Sequence, residues 1–116
     1  MDNIRTNIRT VLERFNRAYA PNTLKSYYAD ARAFVDWCGE RNIVSFPISS
    51  ETLCAYIEYL QQNAAYSSIR RRIASLRRLN KMLGFEDQTR TEEVYLAIRR
   101  LKRSKCLEQK QAVGIN

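Results

Sequence analysis

Apolar residues recur at helical spacing along almost the whole of this 116-residue chain, and little interrupts them. Ile4, Ile8, Val11, Leu12, Phe15 and Tyr19 form one stripe on a helix over about 3–18. Pro21 is read as its stop, with Asn22 or Thr23 capping a second helix over about 22–41. There, Leu24, Tyr27, Tyr28, Ala31, Phe34, Val35 and Cys38 cluster on one side, with Trp37 at the edge. Ser49 is the expected cap of a third helix, about 50–63. Its apolar residues Leu53, Cys54, Tyr56, Ile57 and Leu60 cover more than one face, as in a central helix.

A fourth helix is predicted from Ser67 or Ser68 to Leu83, with Gly84 as a left-handed C-cap. Ile69, Ile73, Leu76, Leu79, Asn80 and Leu83 mark its inner face. Thr89-Arg90-Thr91-Glu92 spells a capping box for a fifth helix through about Ser104, with Val94, Ile98 and Leu101 inward. Residues 105–116 lose periodicity and read as a linker or tail. Three Gly and two Pro are too few turn-makers for a sandwich or barrel, and no run alternates with period two. The fold class is therefore all-α, one compact bundle of four or five helices.

The chain contains no histidine. That removes Ser-His-Asp and Cys-His nucleophile sites and His-ligated zinc. Cys38, Cys54 and Cys106 are odd in number, widely spaced and without a CxxC pair. This pattern fits a reducing cytoplasm, with Cys38 and Cys54 as small core residues. Glu86-Asp87 and Glu92-Glu93 join no wider ligand set, and no Gly-rich phosphate loop is present. The reading is for no cofactor, no metal, no small-molecule substrate and no catalytic residue. The N-terminus lacks a signal peptide's apolar segment, and no run is long enough to span a membrane.

The formal charge of +8 is unevenly placed. Residues 1–65 hold seven basic and seven acidic residues; residues 66–116 hold thirteen basic and five acidic and carry the whole surplus. Such asymmetry marks a binding face for a polyanion, nucleic acid before an acidic membrane. The fourth helix supplies that face. It opens Ser67-Ser68-Ile69-Arg70-Arg71-Arg72, where free backbone N–H groups and small hydroxyls suit phosphate. Arg71, Ala74, Arg78 and Lys81 point outward and Arg70 and Arg77 flank them. Arg71 and Arg78 are two turns apart, about 10 Å along one face. Lys25, Ser26, Ala29 and Arg32 form a weaker polar surface on the second helix. Core packing explains most of the seven tyrosines; Tyr66 is the one expected to face nucleic acid.

The order of several short segments resembles the N-terminal core-binding domain of the tyrosine recombinases, or phage integrases, a SAM-like helical domain. Asn22-Thr23-Leu24-Lys25-Ser26-Tyr27 is similar to the start of that family's second helix. Phe34-Val35-Asp36-Trp37-Cys38 resembles its aromatic middle, and Phe46-Pro47 the loop after it. Tyr56-Ile57-Glu58-Tyr59-Leu60 resembles the third helix, and Ser67–Leu76 the fourth. Ala97–Arg103 resembles the basic final helix, and Lys110-Gln111-Ala112 the linker into the catalytic domain. The likeness spans about residues 4–113.

It implies a bundle whose second and fourth helices cross near a DNA major groove. Lys25, Ser26, Ala29, Arg32, Ser67, Arg71, Ala74 and Arg78 would then face double-stranded DNA; Arg70 joins them from the helical reading. It further implies a domain over 1–104, with 105–116 leading to a catalytic domain whose Arg, Lys, His and Tyr find no match here. The expected function is to clamp duplex DNA at a recombination site in the cytoplasm without cutting it, with first and last helices meeting neighbouring protomers. The alternative is a helical protein-interaction module, or a basic nucleic-acid-binding regulator unrelated to recombination, such as an RNA binder.

Overall fold

The computed structural model describes residues 3–114, with side-chain surroundings for residues 4–108. They form five helices: α1 (Asn3–Arg14), α2 (Pro21–Glu40), α3 (Ser50–Gln61), α4 (Tyr66–Met82) and α5 (Glu92–Gly114). The described residues contain no strand. α1 lies on α2, α2 packs along α4, and α3 packs against α5 and α4.

The core is an aromatic cluster between α2 and α3 continued by aliphatic side chains of α4 and α5. The Phe34 and Tyr56 rings meet edge to face at 4.9 Å between centroids, and Trp37 lies 5.0 Å from Tyr56. Such pairs add about 0.5–1.5 kcal/mol each beyond burial. Ile69, Ile73, Leu76 and Leu79 of α4 and Val94 and Leu101 of α5 are all buried against them. Trp37 belongs inside the core rather than at its edge.

Local chemistry fixes most of the ends. Ser49 caps α3, its Oγ accepting from the Thr52 amide at 3.1 Å. Gly84 closes α4 with φ +91. Its N–H reaches the Lys81 carbonyl, and the next N–H, of Phe85, reaches back to Asn80 at 3.1 Å. This paired closure needs a left-handed residue, a conformation glycine adopts without penalty. The buried Asn80 side chain then staples two loops to α4. It accepts from the Ile48 amide and donates to the Glu86 carbonyl.

Three boundaries differ from the sequence reading. α1 ends at Arg14, before Pro21, and Pro21 itself opens α2 behind Ala20, which makes no side-chain cap. Proline at the first helical position lacks only an N–H that would be unpaired anyway. At α5 the cap is Thr91, whose Oγ1 accepts from the Val94 amide at 3.4 Å; Thr89 is buried and turned towards α4. Finally, helix continues past Ser104 to Gly114 where a loss of periodicity suggested a tail. No Pro or Gly interrupts 105–113. Lys105 also anchors the extension, its Nζ donating to the Gln61 carbonyl at the end of α3 at 2.8 Å. The Lys110-Gln111-Ala112 segment lies outside the described side chains.

Candidate nucleic-acid interface

α4 buries one side and offers the other to solvent. Ser67, Arg70, Arg71, Ala74 and Arg78 are exposed on it, as are Lys25, Ser26, Ala29 and Arg32 on α2. The two sets lie on helices that touch. Arg71 Nη1 donates to Asp30 Oδ2 at 2.6 Å, and Asp30 directly follows Ala29 on α2. One residue of this pair is buried and the other half exposed. Seven residues further along α4, Arg78 Nε donates to the Tyr19 hydroxyl at 2.8 Å with its guanidinium over the ring. Tyr19 in turn meets Tyr27 edge to face. The partner of α4 thus moves from mid-α2 back towards its start, so α2 and α4 run antiparallel.

These contacts hold two long cations in place while leaving charge at the surface. A guanidinium immobilised before binding loses less rotamer entropy when an anion arrives. Arg71 is accordingly not a free outward side chain but marks the seam with α2. Arg72, from the same basic opening, is half-buried beside Tyr56. Tyr66 also departs from the sequence reading: it is partly buried against the core at the first turn of α4.

A groove of about 740 Å³ runs along the other edge of α4, against the segment 85–90. Arg70, Arg77, Arg78, Lys81 and Arg90 line it together with Glu86 and Asp87. Arg77 is its hinge pin. Nε donates to Thr89 Oγ1 at 2.9 Å and Nη2 to the Thr89 carbonyl at 3.0 Å. Burial, then the neighbouring charge of Arg90, pulls the Arg77 guanidinium below its usual range; Asp87 opposes this and Arg70 adds to it. Burial tends to push the Asp87 carboxyl up, but hydrogen bonds from Thr89 and Arg90 outweigh it and hold the group below its usual range. Arg90 and Arg77 were not singled out as site residues in the sequence. Arg90 sits in a stretch that reads as a cap, and nothing local brings it to Arg77.

A smaller basic patch spans α1 and α2. Arg9 Nη2 donates to the Tyr28 hydroxyl at 3.2 Å, and this bond lowers the Tyr28 phenol below its usual range, with Arg32 and Arg5 contributing. Among the described residues no cluster of three or more His, Cys, Asp or Glu side chains could hold a metal ion. No helix described is long and apolar enough to cross a membrane.

Residues 14–86 match the family profile described as phage integrase, N-terminal SAM-like domain. The chain is also similar to an integrase/recombinase xerD homolog of Selenomonas ruminantium, with 33% identity over 72 residues. That alignment covers 62% of this chain and 21% of the relative. The matched segment runs from the end of α1 through α4 and holds both candidate surfaces.

Proposed function

Since the chain belongs to the phage integrase N-terminal SAM-like domain family, we propose that it is the domain with which a site-specific recombinase grips duplex DNA. The observation that carries this reading is the exposed stripe of α4, where Arg70, Arg71, Ala74 and Arg78 line one face over about two turns. Small Ser67 and Ala74 let the helix backbone approach, and the arginines fork onto phosphates or guanine edges. Lys25, Ser26, Ala29 and Arg32 on α2 supply a second line of contact beside it. The domain positions DNA in the cytoplasm, and strand cleavage is assigned to a separate catalytic domain.

The fit is to B-form DNA, whose major groove admits a helix; the deep, narrow major groove of A-form RNA does not. Competition between duplex DNA and duplex RNA of equal length tests this. Displacement by DNA at much lower concentration supports the reading, and equal displacement contradicts it.

A protein contact accompanies DNA binding in this proposal. Tyr95, Leu96 and Leu107 on α5 are 53%, 41% and 52% exposed, separate apolar side chains among the exposed Arg99, Arg100 and Arg103 that a neighbouring recombinase protomer could cover. Sedimentation on a two-site duplex should then show cooperative filling, which Leu96→Glu reduces while single-site affinity stays the same.

A further inference from the structure

We infer that the groove between α4 and the segment 84–91 grips a backbone phosphate of the same duplex, on the flank of α4 that faces away from α2. Lys81 and Arg90 are assigned as its contacts and Arg77 as the residue that positions them. The inference rests on the DNA-gripping reading and extends its footprint to residues outside the exposed faces of α2 and α4.

The geometry is that of a helix with two flanks. Arg71 and Arg77 lie six positions apart, about 120° around the helix axis. They mark the two edges of the exposed stripe, with Ala74 and Arg78 between them. At one edge Arg71 joins α2 through Asp30; at the other Arg77 joins the 84–91 segment through Thr89. A major groove about 12 Å wide barely exceeds the helix it receives, so a phosphate backbone passes along each flank. The α2 flank already has Lys25 and Arg32. The groove supplies cations for the opposite one.

Its charge is uncompensated. Five basic residues face two acidic ones around the groove. Asp87 is engaged by Thr89 and by Arg90 Nε at 3.0 Å, yet the Arg90 side chain remains 71% exposed. Like charges gathered in a concave site favour an anion between them. The segment that carries Arg90 is also held rigidly. Arg77, Asn80 and Ser50 bond to Thr89, Glu86 and Gln88 in turn, so Arg90 projects from a fixed frame.

The test is duplex DNA binding across a salt series for the wild type, Lys81→Ala, Arg90→Ala and Arg77→Lys, with thermal midpoints measured alongside. One lost phosphate contact reduces the slope of log K against log salt by about 0.9. Lys81→Ala should show that reduction with an unchanged midpoint, and Arg90→Ala the same reduction with only the small drop in midpoint expected from losing its exposed pair with Asp87. Arg77→Lys keeps the charge but loses the fork onto Thr89, so it too should flatten the slope. A normal wild-type slope left intact by Lys81→Ala and Arg90→Ala overturns the groove assignment while DNA gripping stands. An Arg77→Lys variant that lowers only the midpoint overturns the positioning role. A wild-type chain with no salt dependence overturns both readings.

Discussion

The Arg71 guanidinium lies 2.6 Å from the buried carboxylate of Asp30 and ties the exposed face of α4 to α2. Arg71 therefore has a structural task besides any contact with DNA. Removing it leaves a buried acceptor unpaired, at a cost of about 1–3 kcal/mol. Arg71→Ala should lower the denaturant midpoint at an unchanged m-value. Asp30→Asn, which retains an uncharged acceptor, should cost less than Asp30→Ala. Equal stability of all three variants and the wild type in urea would mean that the pair contributes nothing. Arg78 is consequently the cleaner probe of DNA contact.

Arg77 and Thr89 hold the 84–91 segment on α4 by two hydrogen bonds. Arg77→Ala strands the Thr89 carbonyl, while the hydroxyl keeps its bond to Asp87, and should destabilise the fold by about 1–3 kcal/mol. Hydrogen exchange should speed up in 84–91 before it does so in α3. Uniform acceleration across the chain would place the effect elsewhere.

Asp87 gives this segment an acid limit. Its folded carboxyl is held below the usual range, so its contribution is present above that range and fades as pH falls through the folded value. Asp87→Asn should lower the thermal midpoint at neutral pH, and the gap to the wild type should close on acidification. An identical acid profile for variant and wild type would contradict the assignment.

Gly84 ends α4 at φ +91, and a Cβ there would meet open space. Backbone strain alone then opposes a side chain. Gly84→Ala should cost about 1–2 kcal/mol, whereas Gly84→Asn, a residue that tolerates the left-handed region, should cost less. The ranking is read from thermal midpoints.

The cysteines should separate by reactivity. Burial pushes the Cys38 thiol up to about 11, whereas Cys106 is exposed on α5. A thiol reagent at neutral pH should label Cys106 in the native protein and Cys38 only after unfolding. Early labelling of Cys38 would mean that the α2 core opens readily.

Where a boundary depends on its own few residues, the sequence sufficed. Ser49 can cap only the helix that begins at Ser50, and Gly84 is the one glycine placed to close α4. Pro21 was ambiguous because the same fixed φ both ends one helix and begins another. Thr89 and Thr91 compete as caps, and the choice is made by Arg77, which claims Thr89 from twelve residues away. Lys105 extends α5 through a carbonyl 44 residues earlier. The exposed faces of α2 and α4 were legible from periodicity for the same reason as the core. Their partners were not: Asp30 and Tyr19 reach α4 only once the helices pack, across 41 and 59 residues.

The most direct test of DNA gripping is the affinity of the chain for a duplex between low and physiological salt. With about five phosphates neutralised, log K should fall against log salt with a slope near −4.5. Arg78→Ala should weaken binding and flatten the slope, while Arg41→Ala, which removes a cation stacked on Trp37, should leave it unchanged. A flat wild-type titration, or equal effects from Arg78→Ala and Arg41→Ala, would contradict the account.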